Sequence, residues 1–321
     1  MPIKFVLLLV TIAVTVPLAA WGQGIADFGV QSTLDISPAF AQPGEMVTVS
    51  LNDYASGASG SQITWTFNGE PVPGTDNNRS IEVVAGELGS TDIIEARLIP
   101  TFGEPQSIRT ELNPIYLDII IEPQTRVPDW YLGRAMPSVS SQVNATAIVN
   151  NGSVIDPASL IYTWQLDRDL LDAGPVRGRN QMSFGTPRGS NFILSVSVSR
   201  STGGIIARRA LRVESVSPFL SFYEQHPLYG SSLFPTNTNT PIVGNTLTMH
   251  AEPFFLDTRV YNDPDIAEWE INGRETDNGA RNPYEITLQR GATTGQTSAN
   301  FHVRSLQSVL QGAEQRISLT F

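Results

Sequence analysis

A tryptophan-centred motif occurs three times along the chain at nearly constant spacing. Trp65 lies in Ile-Thr-Trp-Thr-Phe-Asn-Gly, Trp164 in Tyr-Thr-Trp-Gln-Leu-Asp, and Trp269 in Glu-Trp-Glu-Ile-Asn-Gly. The motifs are 99 and 105 residues apart, which is the length of one β-sandwich domain. Because a repeat of this period contributes one structural unit per repeat, we predict an all-β chain of three tandem sandwiches with these tryptophans in their cores.

Alternation of apolar and polar residues surrounds each motif. It is clear in residues 46–51, 141–148 and 245–251, each about one strand before a tryptophan, and apolar side chains recur two residues from the tryptophan. This period of two places one face of each strand in a core. We therefore expect strands throughout and no substantial helix after the N-terminal segment.

Domain boundaries are predicted from the strands that close each repeat. Residues 116–121 are taken as the last strand of the first sandwich, which gives domains at 25–122, 123–217 and 218–321. The junctions are short and contain Pro123 and Pro218, so we expect semi-rigid links, a straight or bent rod and three domains that unfold separately.

The N-terminus predicts export. Lys4 precedes a mainly apolar stretch over residues 5–18, and the small residues Ala19, Ala20 and Gly22 follow. This is the pattern of a signal peptide over residues 1–22, with cleavage after Gly22 or after Ala20. An uncleaved N-terminal anchor is the alternative, since residues 5–21 reach the lower limit for spanning a bilayer. Either reading makes the protein extracellular or cell-surface, and tethered if the segment is retained.

Composition excludes several classes of function. The net charge of −11 disfavours nucleic acid and anionic membrane surfaces as partners, so membrane contact is expected only through the N-terminal segment. The chain has no cysteine, which excludes disulfides and thiol catalysis, and it has no Gly-x-Ser-x-Gly motif or phosphate-binding glycine loop. Its three histidines are not at metal-ligand spacing. We predict that the protein is not an enzyme and needs no cofactor, and we keep calcium open as a ligand.

A calcium site is considered in the third repeat, where carboxylates cluster before the tryptophan strand. Asp257, Asp263 and Asp265 lie within nine residues and could supply several of the six to eight oxygens that calcium prefers. The alternative is an acidic turn whose side chains accept hydrogen bonds from local backbone amides.

Aromatic residues are concentrated where the third repeat begins. Phe222, Tyr223 and Tyr229 belong to a segment over residues 219–229 that could stack on sugars or contact a partner. The same residues could instead form the contact between the second and third domains.

These motifs resemble those of bacterial immunoglobulin-like and PKD-type domains. An alternating strand, a tryptophan strand and an Asn-Gly turn carry the resemblance, which covers essentially residues 30–321. The chain also resembles exported three-domain proteins of candidate-phylum bacteria, whose third domain begins with a segment like residues 222–230. The resemblance implies immunoglobulin-like sandwiches. We expect a non-catalytic spacer or adhesion module that binds a protein or surface glycan; the alternative is a carbohydrate-binding module that works with a separate enzyme.

Overall fold

The computed structural model describes residues 32–52, 61–101, 104–153, 155–172, 174–237, 239–291 and 294–320. These residues form three β-sandwiches in chain order, each built from two sheets, which confirms the predicted all-β fold. The predicted signal peptide or anchor, residues 1–22, lies outside the described residues.

The first sandwich contains seven strands among its described residues. They are β1 (Thr33–Ser37), β2 (Met46–Asn52), β3 (Gln62–Phe67), β4 (Glu70–Pro71), β5 (Ser80–Val84), β6 (Asp92–Ile99) and β7 (Gln106–Leu112). One sheet has the order β1-β2-β5 and the other has the order β4-β3-β6-β7. The inward-facing side chains of both sheets form one core around Trp65, as strand alternation requires.

The second sandwich repeats this arrangement. Its strands are β8 (Tyr116–Pro123), β9 (Gln142–Asn150), β10 (Leu160–Leu166), β11 (Asp169–Leu170), β12 (Val176–Arg177), β13 (Gln181–Gly185), β14 (Asn191–Arg200) and β15 (Ile205–Glu214). The sheets have the orders β13-β9-β8 and β11-β10-β14-β15, with β12 also paired to β10. The long connection from β8 to β9 extends out of the sandwich towards domain 3.

The third sandwich has the same two sheets with extra short strands. Its strands are β16 (Phe219–His226), β17 (Gly230–Ser231), β18 (Asn239–Pro241), β19 (Thr246–Phe254), β20 (Ile266–Ile271), β21 (Arg274–Thr276), β22 (Glu285–Gln289), β23 (Gln296–Arg304) and β24 (Gly312–Thr320). The sheets have the orders β17-β16-β19-β22 and β18-β24-β23-β20-β21. A five-residue helix, α1 (Thr258–Asn262), follows β19. In the described parts of the chain, no helix has the length and apolarity that crossing a bilayer requires.

The three tryptophans occupy equivalent places. Trp65, Trp164 and Trp269 lie on β3, β10 and β20, and each is at most 2% exposed. Each indole N–H donates to a backbone carbonyl 13 to 15 residues later in the chain, at 2.8–2.9 Å. The buried donor is therefore satisfied in the same way in all three domains.

The residue three positions after each tryptophan forms a second repeated contact. Asn68, Asp167 and Asn272 have φ values of 51°, 56° and 50°, a left-handed conformation that Asn and Asp tolerate better than most residues. The side-chain oxygen of each accepts a hydrogen bond of 2.8–3.0 Å from a backbone N–H of a neighbouring strand. The donors are Ile93 on β6, Ile193 on β14 and Ser298 on β23. The motif thus links a tight turn to a neighbouring strand.

The predicted first boundary at residue 122 is corrected by the strand pairing. Tyr116–Pro123 is antiparallel to β9, and Leu117 and Ile119 lie in the core of the second sandwich. This strand therefore opens domain 2, and Gln106–Leu112 closes domain 1. The alternation in residues 116–121 identifies a strand but does not indicate which of two adjacent sheets it joins. β16 pairs with β19, so Phe219–His226 is the first strand of domain 3.

Candidate functional site

The β8–β9 connection of domain 2 is bonded along domain 3. Backbone hydrogen bonds join Arg126 to Leu256 and to Phe255, at 2.6 and 2.7 Å, and join Thr258 to Gln124 at 2.9 Å. The contact has the form of a short antiparallel ladder between two connecting segments. We call this contact, together with the side chains that pack around it, the 2–3 junction.

A fully buried carboxylate lies at the centre of the 2–3 junction. Asp257 accepts a hydrogen bond from the backbone N–H of Gln142 in domain 2, at 2.8 Å, and caps α1 by accepting from the backbone N–H of Arg259. The guanidinium of Arg259 completes the shell with two bonds of 2.8 and 2.9 Å. A charge with 0% exposure is tolerated here because both of its oxygens are paired.

A buried amide forms the next contact across the 2–3 junction. The Oε1 atom of Gln311 accepts from the backbone N–H of Asp257 at 2.8 Å, and its Nε2 atom donates to Ser138 Oγ at 2.9 Å and to the carbonyl of Val139. Gln311 is 0% exposed. One side chain from the β23–β24 loop therefore joins domain 3 to domain 2, accepting from a donor of domain 3 and donating to two acceptors of domain 2.

An ion-pair network lies beside this contact. Arg126 Nε donates to Glu252 Oε1 at 2.9 Å, and Glu252 Oε2 lies 3.0 Å from His250 Nε2. The Arg126 guanidinium is also 4.9 Å from the centre of the Tyr261 ring, within range of a cation–π interaction. A positively charged side chain of domain 2 is therefore held by a nearly buried carboxylate and an aromatic face of domain 3.

The two buried carboxylates are held in their charged forms. Burial by itself would raise the pKa of Glu252, but the hydrogen bonds to His250 and Arg126 and the charge of Arg126 outweigh it, so the pKa lies below its usual value. Burial opposes ionisation of Asp257 as well. Its hydrogen bonds from Arg259 and Gln142 outweigh that cost and lower the pKa of Asp257.

Aromatic rings complete the 2–3 junction. Phe254 and Tyr223 of domain 3 are 4–5% exposed, and the edges of Tyr131 and Trp130 from domain 2 contact them at centroid distances of 5.7 and 5.2 Å. Phe219 stacks on Phe254 at 4.8 Å. This apolar cluster is separate from the three sandwich cores. The interface therefore combines apolar burial with two paired carboxylates, so independent unfolding of domains 2 and 3 is not expected.

The contact between domains 1 and 2 is smaller. Ile115 donates its backbone N–H to Ala41 at 3.3 Å, and Gln42 Nε2 donates to the carbonyl of Leu117 at 3.2 Å. Gly89 and Gly152 also meet, since a Cβ on Gly89 would lie 2.9 Å from the carbonyl oxygen of Asn151. The backbones there are close, but the described residues place no ion pair across this contact.

The structure does not bring the three predicted calcium ligands together. Asp257 is buried at the 2–3 junction, Asp263 lies at the C-terminal end of α1, and Asp265 accepts from Leu306 N and Ser305 Oγ at 2.7 and 3.1 Å. Across the described ranges, no group of three or more His, Cys, Asp or Glu side chains is placed to hold a metal ion. One observed contact has the form of the alternative interpretation, because Asp257 accepts from the local backbone N–H of Arg259, whereas Asp265 accepts from the distant β23–β24 loop.

The predicted aromatic binding residues are also separated. Phe222 lies in the core of domain 3 beside Trp269, with ring centroids 5.7 Å apart, and Tyr223 is buried in the 2–3 junction. Neither ring can present a face to a ligand in solution. Tyr229 is exposed and lies 4.7 Å from the ring of His226. Of the three, only Tyr229 remains available for binding.

Tyr229 belongs to an exposed apolar surface that sequence reasoning described only in part. Five large apolar side chains near the end of β16 are 65–85% exposed. They are Leu228, Tyr229, Leu233, Phe234 and Val243, and we call them the distal apolar surface. β16 begins at the 2–3 junction and ends at His226, so Leu228 and Tyr229 lie at the end of domain 3 that is remote from domain 2. Leu233 and Phe234 lie along the side of β16, in the segment that bonds back to Glu224 and Phe222.

Contacts within the 2–3 junction were missed because their partners are far apart in the sequence. Arg126 and Glu252 are separated by 126 positions, and Gln311 and Ser138 by 173. The sequence of β19 gave no local signal of this contact. Its residues alternate between apolar and polar as far as Glu252, yet every residue from Met249 to the end of the strand is buried.

Comparisons with known proteins find similar solved structures but do not identify a family for this chain. Neither a scan against protein-family models nor a search of the curated proteins finds a match. Among solved structures, the fibronectin(III)-like modules of Clostridium thermocellum CbhA are 10% identical, covering 58% of this chain and 94% of theirs, with a TM-score of 0.27. Three N-terminal domains of the bacteriophage RB49 outer capsid protein Hoc are 11% identical over 90% of this chain and 98% of theirs, with a TM-score of 0.25.

A third similar structure is a Bacteroides ovatus protein, SGBP-B, solved in complex with a mixed-linkage heptasaccharide. It is 12% identical over 90% of this chain and 70% of its own, with a TM-score of 0.23. All three scores are below 0.5, so the assignment of the fold rests on the strand topology of the chain itself.

Proposed function

We propose that this protein is an exported, non-catalytic spacer and interaction module. Domain 3 is its contact-making end, and domain 2 holds domain 3 in a fixed orientation. The observation that supports this proposal is the pairing of Asp257 with Gln142 inside the 2–3 junction. This bond forms in one relative orientation of the two domains, because rotation of either domain would separate the Gln142 N–H from the carboxylate that accepts from it.

A fixed orientation suits a spacer. A domain that moves freely on a linker loses orientational entropy when it binds, whereas a domain already held in place loses less. The surface remote from the 2–3 junction is then presented at a defined distance and angle from domain 2. The N-terminal export signal, which remains a prediction, would place that surface outside the cytoplasm.

Fractionation of the source cells combined with the intact mass of the native protein tests the proposal. We expect a mass lacking residues 1–22 in the exported fraction, or a full-length mass in the membrane fraction. Saturable binding of the purified protein to isolated cell envelopes is the second expected result. A full-length protein confined to the cytoplasmic fraction would contradict the proposal.

A further inference from the structure

The distal apolar surface has an ordered backbone. Ser232 N–H donates to the carbonyl of Glu224, and Thr236 N–H donates to the carbonyl of Phe222, both at 2.8 Å. The chain from β17 onwards is thus bonded back along β16 while its large apolar side chains stay in solvent. Ordered backbone with exposed apolar side chains is typical of a binding surface rather than of a flexible loop.

Strand topology brings three members of this surface, Leu228, Tyr229 and Val243, to one end of domain 3. Gln225 on β16 is opposite Thr248 on β19, so the turn after β16 and the residues just before β19 lie together. Leu228 and Tyr229 belong to that turn, and Val243 to the residues before β19. Leu233 and Phe234 follow along the side of β16.

The segment that forms this surface carries no formal charge. From residue 225 to residue 251 the chain contains no Asp, Glu, Lys or Arg, whereas Glu224 and Glu252 bracket the run. Charged side chains are costly in the hydrocarbon region of a bilayer, while protein and glycan partners tolerate them well. The absence of charged residues between 225 and 251 therefore favours a partner of low dielectric constant.

The types of exposed side chain separate a bilayer from other partners. Three of the five, Leu228, Leu233 and Val243, are aliphatic and have no flat ring to stack on a sugar. Leucine and valine are also under-represented among the residues that dominate protein–protein binding energy. A surface of aliphatic side chains with Tyr229 and Phe234 beside them has the composition of protein surfaces that insert into a membrane interface. In such surfaces the aromatic residues lie at headgroup level.

We propose that the distal apolar surface inserts into the interfacial region of a lipid bilayer that carries little surface charge. The negative charge of the chain, −11, would be repelled by anionic lipids, so neutral or zwitterionic headgroups are preferred. This contact goes beyond the proposed spacer role. It can be tested with purified protein, so its failure would leave that role untouched.

A fluorophore placed on the surface gives a local readout. Because the chain has no cysteine, Leu228→Cys creates a single site for an environment-sensitive label, and Glu268→Cys provides a matched control on an exposed strand position of the same domain. With phosphatidylcholine vesicles, we expect the emission of the label at position 228 to shift to the blue and to resist an aqueous quencher. The label at position 268 should not respond, and added phosphatidylserine should weaken the response at 228.

Loss of the neighbouring apolar groups should weaken insertion. In the labelled Leu228→Cys chain, Leu233→Ser together with Phe234→Ser should raise the lipid concentration for half-maximal shift about tenfold or more, since less apolar area enters the bilayer. An emission spectrum at position 228 that vesicles leave unchanged would overturn the proposal. So would a shift produced without lipid by dextran, which would indicate a glycan, or by higher protein concentration, which would indicate a second copy.

Discussion

Asp257 of domain 3 accepts a hydrogen bond of 2.8 Å from the backbone N–H of Gln142, the first residue of a central strand of domain 2. The carboxylate is fully buried, and its other bonds go to Arg259 within domain 3. One side chain thus caps a helix, pairs a guanidinium and joins two domains.

Removal of this carboxylate should weaken the 2–3 junction. Asp257→Ala leaves the N–H of Gln142 without its acceptor and releases Arg259, so we expect a loss of about 3 kcal/mol in the free energy of unfolding of domains 2 and 3. Denaturant unfolding measures it. Asp263→Ala, an exposed carboxylate of the same segment, should change stability by less than about 0.5 kcal/mol. Equal effects of the two variants would show that the contact with Gln142 contributes nothing.

Acid should weaken the same junction through Glu252. Because the pKa of Glu252 is lowered in the folded protein, its contribution is fully present above the unfolded pKa of about 4.3 and is lost as the pH falls through the lower folded value. Stability from this group should therefore be constant between about pH 6 and 7 and decline below about pH 4.

Arg126→Met provides the matched variant for this pH dependence. It removes the main charge partner of Glu252 and should cost about 3 kcal/mol at neutral pH. The Tm difference between the native chain and this variant should shrink as the pH falls towards 3, because protonated Glu252 no longer benefits from the guanidinium. A Tm difference that stays constant across this range would argue against an ion pair at this position.

The tryptophan cores could be predicted from sequence because the relevant signals are local. Trp65, Trp164 and Trp269 each lie at one position in an alternating strand, and the residue three places later forms the turn. Burial of one strand face and a left-handed turn residue both depend on neighbours within a few positions. Such features repeat in the sequence wherever they repeat in the structure.

The 2–3 junction could not be predicted in the same way. Arg126 precedes its partner Glu252 by a whole domain, and nothing near either residue specifies the other. The misplaced boundary at residue 122 has a related cause, since the pattern of Tyr116–Pro123 fits a closing strand or an opening strand equally well. The three aspartates were grouped by proximity along the chain, whereas α1 and the β23–β24 loop direct them to different partners.

Calcium should leave the stability of domain 3 unchanged. To bind Asp257, the ion would have to displace the paired guanidinium of Arg259, and Asp265 already accepts two bonds from the β23–β24 loop. We therefore expect no change in Tm at millimolar calcium, with magnesium at equal ionic strength as the control. A rise in Tm with calcium and not with magnesium would restore the predicted site.

Calorimetry of three tryptophan variants should show two cooperative units. Each of Trp65→Ala, Trp164→Ala and Trp269→Ala removes a buried ring and should cost about 3–5 kcal/mol. Unfolding of domain 2 would expose the aromatic cluster around Phe254 and leave Asp257 without Gln142, so domain 3 should unfold with it. Trp164→Ala and Trp269→Ala should thus lower the same transition.

Trp65→Ala should lower a separate transition. Domain 1 is joined to domain 2 more weakly, through two long hydrogen bonds at Ala41 and Gln42. Three transitions, each moved by one variant alone, would mean that the 2–3 junction does not couple its domains.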